Sequence, residues 1–394
     1  MTAGAGQEPV TTPGLDALLA SKEMVLVCGS GGVGKTTTAA AIGLQAATEL
    51  GGRVLVLTVD PARRLADALG LGGVGVGNSE VRVDPARLPN RPQGELWMAM
   101  LDTKASWDDL IARHAPDATT REAILANPLY QNITSRFVHS HEYIAMERLH
   151  DLHASGRYDL VIVDTPPSRH ALDILDAPAR MTEFFGSRLL RWLTVPSRSR
   201  LLSVASKPFY QVADRILGNN FLQDIAEFFT LFQRMETGFV RRAAETEAML
   251  ADVRTTFIVV TTLEAAPVTE ARYLLGELTR RQLPLGAVVA NRVLPTALCS
   301  LDAREAAARL VQDSGEIGAA LSGGLGAPAA LVSRVLAEVG TRFHDFGVVA
   351  ARQTERQAEL ASLCPLVVPV PWMEHEVDDL ATLTRIGMST WGRA

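Results

Sequence analysis

Cysteine is scarce: Cys28, Cys299 and Cys364 are the three in 394 residues. They are odd in number and no two have C-x-x-C spacing, which excludes a disulfide scaffold and any recognisable zinc site. So few scattered thiols suit a reducing cytosol, and a cytoplasmic location is expected. Long apolar runs are missing too. No stretch reaches the ~18 residues of a membrane-spanning helix. Residues 1–20 hold no basic stretch followed by an apolar one, so no signal peptide is expected. Work at a membrane would be a transient association from the aqueous side. Positive charge is not in excess either. The net charge of -6 argues against nucleic acid as a partner, because that needs a basic surface. Lysine is rare: Lys22, Lys35, Lys104 and Lys207 are the lysines among 38 basic residues. Arginine is the default cation, so a lysine placed where chemistry wants a slim point charge stands out.

What is present is an ordinary globular composition, 47% hydrophobic and 21% charged, ample for a native core. Met24–Cys28, Arg53–Thr58, Leu96–Leu101, Asp159–Asp164, Phe257–Thr261, Gly286–Asn291 and Leu366–Val370 read as strands. Near-continuous apolar strands alternating with helices predict a parallel sheet covered on both faces. Helices are expected at 36–50, through most of 105–155, at about 267–282 and over 303–362, the last broken by a glycine-rich loop at 322–327. Residues 72–94 read as loop. Eight of the twelve phenylalanines lie between 181 and 240, which marks residues 181–250 as a helical subdomain inserted in one α/β domain spanning 1–394.

Gly29-Ser30-Gly31-Gly32-Val33-Gly34-Lys35-Thr36 fits G-x-x-x-x-G-K-[ST] between a predicted strand and a predicted helix, the context that the motif requires. Glycines let backbone N–H groups converge on phosphate oxygens, and the helix N-terminus adds partial positive charge. On this reading the segment from Gly29 to Thr37 binds Mg-ATP. Lys35 reaches the β- and γ-phosphates and the Thr36 hydroxyl ligates Mg²⁺. Asp164 closes an apolar strand ahead of Thr165-Pro166-Pro167, which suits either a Walker B aspartate holding Mg²⁺ through water or a helix cap. Asp60 follows the strand RVLVLT and would orient or deprotonate the attacking water, or cap the helix that Pro61 begins. Asn291 ends the strand GAVVAN, where its amide would bond an adenine or form a turn.

Taken in order, GSGGVGKTTTAAA, TVDPA, VIVDTPPSRHALDIL and VVANRV resemble the arsenite-pump and guided-entry (tail-anchored protein targeting) ATPases, over nearly the whole chain. These belong to the deviant Walker A class of P-loop proteins. The resemblance implies a P-loop NTPase fold, ATP hydrolysis and ATP-closed dimers. It implies that Asp60 activates water and that Asp164 to His170 reports the γ-phosphate state. It places adenine against Asn291 and the segment near Pro371. The family carries a lysine after the first P-loop glycine, reaching across the dimer to the partner's ATP; here that residue is Ser30. The zinc-clasp C-x-x-C of the targeting members and the cysteine triad of the arsenite members have no counterpart among these three cysteines. The residues Pro167-Ser168-Arg169-His170 also differ from the small residues usual before the histidine. A homodimer is one expectation; a heterodimer with a lysine-bearing paralogue is the other.

Phe221, Ile225, Phe228, Phe232, Met235 and Phe239 recur at helical spacing as one apolar stripe. Arg188, Arg191, Arg198, Arg200, Lys207 and Arg215 surround apolar residues just upstream. In the targeting members this region forms a groove for transmembrane helices; aromatic stripes are also ordinary core. The function expected is an ATPase whose nucleotide cycle opens and closes a dimer to bind or target an apolar or membrane-protein client. The rivals are the ATPase subunit of a membrane anion pump and a regulatory or partition switch.

Overall fold

The computed structural model describes residues 14–59, 79–88, 92–133, 140–187, 221–374 and 379–392. Within these the chain runs α1 (Leu15–Leu19), β1 (Met24–Cys28), α2 (Lys35–Glu49), β2 (Arg53–Thr58), β3 (Val81–Arg82) and β4 (Glu95–Met100). It continues through α3 (Thr103–His114), α4 (Ala118–Ala126), α5 (Pro128–Ile133), α6 (Ser140–Ala154), β5 (Leu160–Asp164) and α7 (Ser168–Gly186). Then come α8 (Phe221–Gln233), α9 (Glu236–Ala251), β6 (Thr255–Thr262), α10 (Ala265–Arg280) and β7 (Leu285–Val293). The last elements are α11 (Leu301–Gln312), α12 (Ser314–Leu325), α13 (Ala329–Ala361), β8 (Val367–Pro371) and α14 (Leu380–Thr390).

The sheet order is β3-β4-β2-β5-β1-β6-β7-β8. Every pairing is parallel except β3 with β4. Helices cover both faces, and this explains the unbroken apolar strands: β1, β5 and β6 are buried at every residue. Alternate residues feed two cores. Val25, Val27, Val54, Val56, Ile162 and Ile258 pack against α2 and α14. Leu26, Leu55, Leu57, Val161, Val163 and Phe257 pack against α6, α7, α9 and α10. β1 is central and its carboxyl end lies between those of β5 and β6, where open α/β sheets bind their ligands.

A third core is aromatic. Trp107, Tyr130, Tyr143, Phe185, Phe228, Phe232 and Phe239 bury together, so α3 to α6 share one core with α7 to α9. Phe232 lies 5.3 Å from Phe228, 5.5 Å from Phe185 and 5.0 Å from Phe239, ring centre to ring centre.

Three expectations need amending. Within 72–94, where the composition predicts loop, Val81–Arg82 form β3 at the edge of the sheet. The single apolar stripe that helical spacing predicts crosses two helices, with a break at Arg234–Met235 between α8 and α9. The glycine-rich stretch at 322–327, which predicts a loop, is helical up to Leu325: α12 runs through Gly323 and Gly324 and stops at Gly326 (φ +62°). Glycine lowers helix propensity by about 1 kcal/mol without forbidding the conformation. A side chain at Gly323 or Gly324 would meet no neighbour, and the helix is held upstream, where Gly318 lies so close to Ser333 of α13 that a side chain there would collide with it.

Candidate nucleotide site

The P-loop joins β1 to α2. Gly29 (φ +154°) and Gly34 (φ +92°) adopt backbone conformations that L side chains rarely reach. A side chain at Gly29 would also strike the Val260 carbonyl of β6, and one at Gly34 would strike the Asn291 amide. Glycine at both positions lets the loop curl between two neighbouring strands. Gly34 caps α2, so Lys35, Thr36 and Thr37 form its first turn, where backbone N–H groups have no intrahelical acceptor. That turn, with the helix dipole behind it, is a site for anionic phosphate.

Lys35 is buried, and its Nζ donates to the Ser30 carbonyl at 2.9 Å, folded back over its own loop. The Thr36 hydroxyl donates to Oδ2 of Asp164 at 2.6 Å, and the Thr58 hydroxyl donates to the same oxygen at 3.0 Å. Parallel pairing produces this convergence: Asp164 of β5 stands level with Val27 of β1 and with Thr58 of β2. Asp164 is fully buried. A hydroxyl and a carboxylate brought edge to edge at a phosphate-binding turn are hard oxygen donors, the set that suits Mg²⁺.

Cys28 sits beneath the loop, and burial pushes its thiol up to about 11 despite a hydrogen bond with Thr165 and the nearby Lys35 charge. It stays protonated and inert, a packing residue.

Asn291, expected at the end of its strand, lies two residues before the end of β7, level with Thr262 of β6. Its Nδ2 donates to the Val33 carbonyl at 2.8 Å, and its Oδ1 accepts from the Arg292 N–H at 2.9 Å. The amide expected against adenine is thus engaged with the P-loop itself. Arg292 is left-handed (φ +59°). Two residues on, the Leu294 N–H donates to Oε1 of Gln353, a buried residue of α13, at 2.9 Å. Pro371 ends β8 beside Val293 and is exposed. The structure therefore gathers Gly29 to Thr37, Asp164, Asn291 and Pro371 along the carboxyl edge of the sheet. Asp60 and the segment from Arg188 to Arg215 lie outside the described residues. Sequence reasoning missed Thr58 and Gln353. Thr58 had a signal, because it precedes Asp60 in the same TVDPA motif; Gln353 had none.

The described members of the aromatic stripe, Phe228, Phe232, Met235 and Phe239, are all buried. Between the two readings of these residues, this geometry favours core.

The family model for anion-transporting ATPases matches residues 22–314. An ATPase GET3 of Malassezia globosa is 26% identical over 293 residues, 72% of this chain and 76% of that protein. An uncharacterized Streptomyces coelicolor protein is 31% identical over 278 residues, 69% of this chain and 62% of that protein. An ATPase GET3 homologue of Aspergillus terreus is 25% identical over 301 residues, 74% of this chain and 80% of that protein. No described helix is long and apolar enough to cross a membrane. The P-loop, the parallel sheet that carries it and the match over most of the chain agree: this protein belongs to the anion-transporting ATPase family and is an ATP-hydrolysing enzyme.

Proposed function

We propose that the enzyme binds Mg-ATP between the P-loop and Asp164, and that its nucleotide cycle opens and closes a dimer to bind or target an apolar or membrane-protein client. The observation that carries the site is the Thr36–Asp164 contact at 2.6 Å. Thr36 would ligate Mg²⁺ directly and Asp164 through water. Lys35 would leave the Ser30 carbonyl for the β- and γ-phosphates, and Asp60 would activate the attacking water. Asn291 and Pro371 would flank the adenine, with Asn291 giving up Val33 when nucleotide enters. Mg²⁺ supplies charge neutralisation between the phosphates.

Residues 181–250 act in this reading as the inserted helical subdomain, and its described helices α8 and α9 rest on α3 to α6 through the aromatic core. Because the described stripe is core, the client surface is made by other residues of that subdomain. Ser30 supports dependence on a partner: a hydroxyl is short and neutral, and its buried Oγ has no hydrogen-bond partner. The dimer is then either a homodimer, with its own cation near the γ-phosphate, or a heterodimer with a lysine-bearing paralogue.

The test uses Asp60→Asn, expected to bind Mg-ATP normally and to hydrolyse it roughly 10²-fold or more slowly, the scale of lost general-base catalysis. Capture with this ATP-trapped form should retain proteins that carry an apolar segment. Normal turnover would remove Asp60 from the chemistry. Retention of a membrane channel would favour the pump subunit instead, and an empty capture would favour the switch.

A further inference from the structure

Asn291 and Arg292 stand where the ladder between β7 and β8 is interrupted: Ala290 pairs with Pro369, and pairing resumes at Val293 with Pro371. Arg292 is left-handed (φ +59°), a conformation that a residue with a side chain keeps only where its surroundings over-determine it. Hydrogen bonds along the turn do so here. Oδ1 of Asn291 accepts from the Arg292 N–H at 2.9 Å. The Val293 carbonyl accepts from the Trp372 N–H at 2.9 Å. The Leu294 N–H donates to Oε1 of Gln353 at 2.9 Å. The first two bonds come from the edge of the sheet itself. The last comes from α13, past the final residue of the family match.

Gln353 is buried, so water competes little for its amide oxygen. Helix α13 has other ties to the sheet: one turn on, Nη1 of Arg356 donates to the Leu263 carbonyl at 2.6 Å, and Leu360 is fully buried in the core. The bond from Gln353 therefore serves the turn more than the docking of the helix. The turn bears on the nucleotide because Asn291 begins it. In the proposed nucleotide-bound state the Asn291 amide leaves the Val33 carbonyl for the base. Its place is then set by the backbone on either side. Before it stands the pairing of Asn291 with Thr262 of β6; after it comes the turn that Gln353 closes. A group held in place before the ligand arrives binds more tightly than one that must be ordered first.

We propose that Gln353 is a positioning residue for base selection: by fixing residues 292–294 it holds the Asn291 amide where it distinguishes adenine from guanine. The inference rests on Asn291 facing the base. An asparagine amide has one donating and one accepting end, which match the N6 amino group and N7 of adenine, whereas guanine presents two acceptors, O6 and N7. Gln353→Met keeps the length of the side chain and removes the acceptor. Affinities for ADP and GDP are measured by competition against a fluorescent ADP. The wild-type chain should prefer ADP, and Gln353→Met should lower that preference roughly three- to tenfold, the scale of one neutral hydrogen bond. The double variant Asn291→Ala/Gln353→Met should show no less preference than Asn291→Ala alone, because both changes act through one amide. Should Gln353→Met not fold, Gln353→Asn, one methylene shorter, takes its place. Equal weakening of ADP and GDP, with the preference intact, overturns the proposal and leaves Gln353 a structural tie. Additive losses in the double variant also overturn it. If Asn291→Ala itself leaves the preference unchanged, the base reading of Asn291 fails and the proposal falls with it, while Lys35→Ala still tests the P-loop separately.

Discussion

The hydroxyl of Thr36 donates to Oδ2 of Asp164 across 2.6 Å, though 128 positions separate the two residues in the chain. One comes from the first turn after the P-loop, the other from the end of β5. Parallel pairing of β1 with β5 brings the two together. Asp164→Asn keeps the shape and removes the charge. It should leave the fold intact and lower Mg²⁺-dependent ATP turnover by roughly 10²-fold or more, the scale of losing one electrostatic stabiliser. Turnover equal to wild type in a folded variant would show that Asp164 only ties β5 to the P-loop.

Lys35→Ala removes the cation from the loop. A charged hydrogen bond contributes about 1.5–3 kcal/mol, so ATP affinity should fall roughly 10- to 100-fold by calorimetry. Normal affinity in a folded variant sinks the phosphate assignment.

Ser30 should make the chain alone a weak ATPase. By analogy with arginine fingers, a cation supplied from outside is worth roughly 10³–10⁵ in rate. Turnover is to be measured alone and with a lysine-bearing paralogue. Full activity alone, lost on Arg169→Ala and indifferent to the paralogue, would assign the cation to this chain.

Phe232 is buried among Trp107, Phe185, Phe228 and Phe239. Phe232→Ala should cost about 3–5 kcal/mol of stability, the usual loss for a buried aromatic ring. Chemical denaturation measures it. A negligible loss, with weakened client capture, would return the stripe to a binding role.

Stability should fall on mild acidification. Burial, reinforced by the Arg242 charge, holds the pKa of His114 and of His150 below the ordinary 6.5. Arg113, Arg241 and Asp151 also act on His114, and Glu147, Glu245 and Asp151 on His150. Each histidine therefore binds protons more readily unfolded than folded, so stability is full above about 6.5 and declines as pH falls toward the folded values. Melting temperature should drop over that window, and less steeply in a His114→Gln/His150→Gln variant. Identical slopes would place the acid sensitivity elsewhere.

Much was legible in the chain itself. The P-loop is a contiguous run, and its chemistry depends on glycine backbones and one lysine that are read directly. The strands were legible because burial on both faces leaves almost no polar residue in them. Asp164 was legible as the end of such a strand, and the class of fold followed from strands alternating with helices. What only the tertiary structure decided rests on contacts between distant segments. Thr58 meets Asp164 because β2 and β5 pair in one register. Asn291 reaches Val33, 258 positions away, because β7 lies two strands from β1. The aromatic stripe and the apolar face of α13 at Leu331, Val335, Val339, Phe346 and Val349 have similar helical periodicity. One is buried by α3 to α7 and the other faces solvent. Periodicity states that a helix has an apolar face; which neighbour covers that face is set by the packing of the whole chain.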